Sequence, residues 1–247
     1  MSSETEQDWK NWRERRAESV AAPYGPLALT GTYWLADAED GKIPGLPGEW
    51  REQDGSVVHQ GDGDGVFGRL EPEGEPVLFG EKRIVAIDRE GLLALRIWDP
   101  ASDARRDFAG IGAFDYDERW VVPAVFHPYP EGRAVRVPHA DGRERGLGVS
   151  GELAFTVDGT EHTLAVAVEE DGTLWGVIAD ATSGRSSYRF RFLRTPAPAA
   201  DGRVVLDFNR TLLPPCAFAD AFVCPFPPPG NTLPFALEAG ESKVLTS

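Results

Sequence analysis

The chain has 247 residues, 40 acidic against 25 basic, and a formal charge of −15; a surface of that sign repels phosphodiester backbones and anionic lipid. Nucleic acid and membrane are therefore excluded as expected partners, and no apolar run approaches the ~20 residues of a membrane span. A chain of this length builds one large core or two small ones, and 27 Gly, 20 Pro and a single Met point to short strands joined by many turns, not to a helical bundle.

One helix is predicted, near residues 5 to 20, where Trp9, Trp12 and Arg16 recur at helical spacing among charges before Pro23 and Gly25 close it. Its two tryptophans are expected to dock on a sheet. The amino-terminal text MSSETEQDWKNWRERRAE has neither the apolar stretch nor the cleavage site of a signal peptide, so a cytoplasmic location is expected. From Leu27 onward the sequence changes to short apolar runs cut by turn residues: LALTGTYWL, then a Gly/Pro/Asp-rich stretch over 37–48, then SVVHQGDGDGVFGRL. RIVAIDREGLLALRIWDP predicts a hairpin, with Ile84 to Ile87 and Leu92 to Trp98 as strands and Asp88 to Gly91 as the turn.

Beyond Ala101 the runs WVVPAVFHPY, AVRVP, ELAFTVDGTEHTLAVAV, TLWGVIAD, YRFRFLR and RVVLDFN read as further strands, and the pair around Asp158 and Gly159 is the clearest hairpin. No period of self-similarity stands out, which disfavours a propeller or solenoid. The stretch LLPPCAFADAFVCPFPPPGNTLPF is too proline-rich for regular structure and too aromatic for a solvated tail, so it is predicted to wrap over the core. The expected fold is mainly β: packed antiparallel sheets or a barrel-like core with an N-terminal helix and a proline-rich C-terminal covering segment. The expected organisation is one compact unit over 1–247, with sub-domains 1–100 and 101–247 as the alternative.

Chemistry is harder to read. GDGDGVFG at 61–68 lacks the Lys and Ser/Thr of a Walker loop, the following helix of a dinucleotide loop and the terminal Glu of a calcium loop, so an acidic β-turn is expected. His59, His127, His139 and His162 are scattered, and Cys216 and Cys224 do not have the spacing of a zinc knuckle, so no structural metal is expected. Buried structural thiols are the leading reading of the two cysteines, with a disulfide, or a metal-binding or nucleophilic role, as alternatives. No GxSxG elbow is present, and Ser183 in DATSGRSS reads as a turn residue.

Strand alternation in RVVLDFN puts Val204, Leu206 and Phe208 on one face and Val205, Asp207 and Asn209 on the other. The polar face is either solvent-facing text starting a turn or a polar cluster in a pocket wall. In YRFRFLR the aromatics Tyr188, Phe190 and Phe192 share one face opposite Arg189 and Arg191. That arginine pair either holds a carboxylate or phosphate ligand or answers Asp180 and Asp207 across neighbouring strands.

The ordered run DATSGRSSY, RFL, VVLDFN, PPCAF and CPFPPPGNTLPFALEAGE resembles the signature of the domain of unknown function 1684 family, over about residues 175 to 241. WKNWRERRAE and LTGTYWL resemble the family's N-terminal section more loosely. The resemblance implies a bacterial β protein and brings no activity with it. It singles out matching positions at Asp180, Thr182, Gly184, Tyr188, Arg191, Asp207, Asn209, Cys216, Cys224 and Asn231. This chain departs from the pattern in having Tyr188 and Arg191 three apart instead of four, and Leu212 and Leu213 where the family reads Tyr-Asn, as in a divergent member.

Two functional readings follow. In the first the chain is a small-molecule pocket protein without cofactor or metal, and an enzyme if Asp207 serves as general acid or base and Arg191 as charge stabiliser. Asp180, Thr182, Tyr188, Asn209, Cys216, Phe218 and Asn231 would then contact the ligand, and Phe222 and Phe226 would add apolar walls. In the second it is a non-catalytic binding or interaction module, and the same polar residues lock the proline-rich cover onto the sheet. An enclosed cavity lined by these side chains favours the first, and mutually satisfied hydrogen bonds without a void favour the second.

Overall fold

The computed structural model describes residues 2–61 and 68–247. The GDGDGVFG turn expected at 61–68 lies, over residues 62–67, outside the described residues. The fold is mainly β, with antiparallel sheets that include a half-barrel and one long N-terminal helix. Two compact units result: Glu18–Phe108, and Met1–Ala17 together with Ala109–Ser247.

Helix α1 (Ser2–Ala21) is polar on most of its surface and buries Trp9 and Val20. Arg13 and Arg16 fall near the same face at helical spacing. Of the two tryptophans, Trp9 is buried against Tyr116 and the turn at Asn209, while Trp12 is half-buried, with the Arg210 guanidinium 5.4 Å from its ring. After the helix the chain turns sharply at Gly25, where a Cβ would come within 2.5 Å of the Ser19 carbonyl oxygen, so only glycine fits.

In the unit Glu18–Phe108, strands β1 (Leu29–Trp34), β2 (Glu49–Gln53), β3 (Ser56–Gln60), β4 (Arg69–Leu70), β5 (Val77–Phe79), β6 (Lys82–Arg89) and β7 (Leu92–Trp98) precede a short helix, α2 (Asp103–Arg106). They form two antiparallel sheets, ordered β1-β7-β6-β5 and β2-β3-β4. The predicted β6–β7 hairpin closes with Arg89 opposite Leu92. Glu90 and Gly91 both take positive φ there, as a tight hairpin turn requires. Trp50, Val57, Ile84, Leu95 and Ile97 form the centre of this unit's core.

The other unit carries β8 (Phe108–Ala113), β9 (Val121–Pro138), β10 (Glu144–Val157), β11 (Thr160–Val168), β12 (Leu174–Ile178), β13 (Arg191–Thr195), β14 (Arg203–Asp207) and β15 (Glu241–Thr246). Six of them make one antiparallel sheet, β13-β12-β11-β10-β9-β14, and β15 pairs with β8. WVVPAVFHPY and AVRVP, read as separate strands, are one strand of 18 residues. A register shift opposite Val149 and Gly151 absorbs the irregular text between them. Gly151 is needed there, because a Cβ would lie 2.5 Å from the His127 carbonyl oxygen.

The concave side of this sheet is packed with Leu153, Phe155, Leu164, Leu174, Leu193 and Leu206. The C-terminal segment supplies the remaining volume: Leu233, Leu237 and Ala239 belong to the same cluster and are almost completely buried. A second apolar cluster joins Val137, Leu147, Val177 and Phe190 to Cys216 and Cys224, with Phe222 and Phe226 packed against it. The proline-rich segment is pinned by isolated backbone contacts in place of a strand. The Leu212 amide donates to the Phe192 carbonyl (2.8 Å), the Phe226 amide to Pro138 (2.9 Å) and the Leu233 amide to Ala179 (2.8 Å). Those carbonyls and amides need partners once buried, and prolines lower the number of donors to be matched.

Candidate functional site

The chain leaves β12 at Ile178 and enters an irregular run that β13 ends at Arg191, so Asp180 and Arg191 approach each other across one connection. Arg191 Nη2 donates to Asp180 Oδ2 at 2.8 Å, and neither side chain has any exposed surface. YRFRFLR does not run as one regular strand: only Arg191 onward pairs, and Arg191 lies on the buried side with Leu193 and Thr195 while Arg189 is exposed. The expectation that Arg189 and Arg191 act as a pair is corrected accordingly. Tyr188, Phe190 and Phe192 do share one apolar cluster.

The remaining hydrogen bonds of the Asp180–Arg191 pair run to the C-terminal segment. Asp180 Oδ1 accepts from the amides of Thr182 (2.7 Å) and Leu237 (3.1 Å). Arg191 donates to the carbonyls of Leu237 (2.9 Å), Glu241 (3.3 Å) and Ala239, while its Nε has no acceptor. Burial alone would raise the Asp180 carboxyl, but the Arg191 charge and the bonds from Thr182 and Arg191 outweigh it and hold that carboxyl below its ordinary range. Thr182 is itself tied to Ser187 through a hydroxyl contact of 2.7 Å.

Asp207 is placed elsewhere than expected. It does not pair with Arg191 or Arg189, because the strand ends at Asp207 and the chain turns into a short 3-10 segment, Phe208–Arg210. Asp207 caps that turn: Oδ1 accepts from the Asn209 amide (3.0 Å) and from Asn209 Nδ2 (2.9 Å), and Oδ2 lies 3.3 Å from Arg210 Nε. The same turn rotates Asn209 out of the Val205–Asp207 face and buries it. Its amide exchanges bonds with the Asp117 backbone, both at 3.1 Å, and its carbonyl accepts from Trp9 Nε1 at 2.8 Å. Of the two readings of the Val205, Asp207 and Asn209 face, the turn-starting one is found and the pocket wall is not: Val205 is exposed, Asp207 is half-buried and caps the turn, and Asn209 alone is buried.

Asn231 also binds backbone. It accepts from the Ala165 amide (2.8 Å) and donates to the carbonyls of Ala165 and Val177 (2.9 Å each), joining β11 to β12 where their own pairing is short. Phe218 is buried with the Arg16 guanidinium 5.4 Å from its ring. A residue that the sequence reading missed, Glu241, completes this layer. Its carboxylate meets Arg16 Nε at 3.1 Å and accepts from the Leu213 amide at 2.6 Å, and burial pushes its pKa up despite Arg16. Only its position in the turn LEAGE hinted at it, and nothing local marks a glutamate as buried.

Tyr188 and Cys216 do come together. The Tyr188 hydroxyl donates to the Cys216 carbonyl at 3.1 Å and lies 3.7 Å from its Sγ. Burial, reinforced by Cys216, raises the tyrosine to about 12.

The concavities of the surface have other linings. A groove of about 890 Å³ runs over β9, β10 and β14, walled by Pro123, Val125, Ala154 and Val205 and by the 196–199 connection, with His127 and Arg203 among its polar members. An open acidic hollow of about 620 Å³ is lined by Glu6, Asp115, Asp117, Glu118 and Glu238 around Tyr116. In the Glu18–Phe108 unit a smaller hollow of about 320 Å³ lies beside Leu35 and Trp50. Asp180, Arg191, Asp207, Asn209 and Asn231 line none of the three. Among the described residues no group of three or more His, Cys, Asp and Glu side chains is placed to hold a metal ion, and no helix is long and apolar enough to cross a membrane.

Residues 106–242 match the family described as Protein of unknown function (DUF1684). The solution NMR structure of an uncharacterized protein from Haloarcula marismortui is 33% identical, with 56% of this chain and 78% of that one covered and a TM-score of 0.46. No curated protein matches the chain.

Proposed function

We propose, for a chain that belongs to the DUF1684 family, a non-catalytic binding role in which Asp180, Arg191, Asn209 and Asn231 hold the fold and a small molecule rests in the groove over β9, β10 and β14. The observation that carries this reading is the Asp180–Arg191 pair. Every polar atom of the pair except Arg191 Nε is bound within the chain, and both side chains are inaccessible, so a ligand does not reach them. Asp207 is likewise engaged by its own turn.

The groove has the size of a small-molecule site, for which roughly 300–1,000 Å³ is usual. Val125 and Val205 are among the exposed large apolar side chains of the chain, and Pro123 and Ala154 continue their surface. That composition favours a ligand with an apolar body and one hydrogen-bonding end, met by His127, Thr156 or Arg203. The charge of −15 disfavours nucleic acid as the occupant.

The test is fluorescence titration with 8-anilinonaphthalene-1-sulfonate as an apolar probe. Saturable one-to-one binding is expected in the native protein, lost in Val125→Glu and retained in Asp207→Asn. Binding that survives Val125→Glu but fails in Asp207→Asn would return the site to the polar residues.

A further inference from the structure

Cys216 and Cys224 are brought together by features that have nothing to do with the groove. Cys216 sits in the 3-10 turn Pro215–Ala217, fixed behind Pro214. Cys224 is held on both sides: its carbonyl accepts from the Ala140 amide (2.9 Å), and two residues on the Phe226 amide donates to Pro138 (2.9 Å). As a result the Cys216 amide lies 3.4 Å from Cys224 Sγ. Both residues are buried, at 3% and 6% exposure, and both are free thiols.

The surroundings are not those of an inert core thiol. A cysteine in a purely apolar setting has its pKa raised and reacts slowly. Here the neighbouring Cys224 side chain, against burial, holds the Cys216 thiol down at about 7, helped by the Tyr188 hydroxyl and the Arg189 guanidinium. Arg189 is exposed yet held over the Tyr188, Phe190 and Phe226 rings, 5.6, 5.5 and 4.7 Å from their centres, which keeps its charge near the sulfur. A lowered thiol, a second cysteine sulfur that accepts from its backbone amide at 3.4 Å and a phenol oxygen 3.7 Å from its Sγ are the parts of a two-cysteine redox centre.

We propose that Cys216 and Cys224 form a redox-active dithiol that hydrogen peroxide converts to a disulfide, with Cys216 as the attacking sulfur and Cys224 as the resolving one. The Cys216 thiolate attacks one peroxide oxygen, the O–O bond breaks, and a sulfenic acid forms as hydroxide leaves. Cys224 then attacks the Cys216 sulfur, the S–O bond breaks, and its thiol proton departs with the sulfenic oxygen as water. Two electrons pass from the sulfurs to the peroxide, so thiolate, thiol and peroxide become disulfide, water and hydroxide. The burial of both thiols favours an oxidant of this size over a bulky disulfide.

The experiment treats the full-length, reduced protein with hydrogen peroxide in dilute solution and follows intact mass and thiol titre. The expected result is a monomer lighter by two hydrogens, with both thiols lost together and recovered on adding dithiothreitol. Cys224→Ser is expected to stop at a sulfenic acid trapped by dimedone, and Arg189→Gln to slow the reaction severalfold with the same end product. Two thiols that remain titratable under conditions that oxidise free cysteine would overturn the proposal. So would a disulfide between two copies, or separate oxygen addition to each sulfur. The wild-type mass measurement decides the matter even if Cys224→Ser fails to fold.

Discussion

Asp180 and Arg191 meet at 2.8 Å with both side chains wholly inaccessible, and between them they bind the backbone of Thr182, Leu237, Ala239 and Glu241. The pair thus links the start of β13 to the segment that fills the half-barrel. Replacing such a pair with apolar groups is often near neutral, whereas removing one partner strands a buried charge and costs about 3–5 kcal/mol. Arg191→Met is therefore expected to fall in that range by urea denaturation. Asp180→Asn with Arg191→Met should lose less than the sum of the two single changes, the mark of a coupled pair. Additive losses would mean that the two residues act independently.

The pH dependence follows from opposite shifts. Asp180 titrates below its ordinary value when folded, so its contribution to stability is present above the unfolded value and is lost as pH falls through the folded one. Glu241 is raised by burial; its contribution is complete below the unfolded value and lost as pH rises through the folded one. In urea midpoints taken from pH 3 to pH 7, on the order of the carboxylate range and above, Asp180→Asn should flatten the acid side. Glu241→Gln should become less unfavourable, relative to wild type, as pH rises. Parallel curves for wild type and both variants would refute the two assignments.

For Asp207 the expected effect is small. Its carboxylate caps the Phe208–Arg210 turn and touches Arg210 while half-buried. Asp207→Ala removes the cap and should cost about 1 kcal/mol, and Asp207→Asn, which keeps an acceptor oxygen, should cost less. A loss as large as that of Arg191→Met would show that Asp207 belongs to the buried network after all.

The architecture was legible because it depends on local text. The N-terminal helix, the β6–β7 and β10–β11 hairpins and the buried proline-rich segment each follow from spacing, turn residues or composition within about twenty residues. The site was less legible because its pairings are long-range. Strand alternation puts Arg191 on the same face as Arg189, but the strand begins at Arg191, and a change of register there reverses which neighbour it meets. The same rule assigns Asn209 to a strand face, whereas a turn that starts one residue earlier buries it. The partners of Asp180 at Leu237 and of Leu213 at Glu241 lie 57 and 28 residues away, and no local pattern specifies them.

Leu237 tests whether the covering segment is part of the core or laid over it. Its side chain has no exposure and packs in one cluster with Leu153, Phe155, Leu174 and Phe208, while its amide donates to Asp180 and its carbonyl accepts from Arg191. A peripheral strap would give up its contacts locally, and truncating one side chain would loosen only that strap. A segment that supplies core volume behaves differently, because the surrounding strands cannot collapse fully into the space left behind. Leu237→Ala is therefore expected to cost about 2–5 kcal/mol of global stability, the range for burying a leucine-to-alanine cavity. The loss should appear as a shifted urea midpoint with an unchanged slope, which is the sign of one cooperative transition. The backbone bonds to Asp180 and Arg191 survive this substitution, so the loss reports packing and not the ion pair. Limited proteolysis supplies the contrast: cleavage within 211–239 should follow global unfolding in urea. Cleavage of that segment in the folded protein, with the urea midpoint of Leu237→Ala unmoved, would make it a detachable strap.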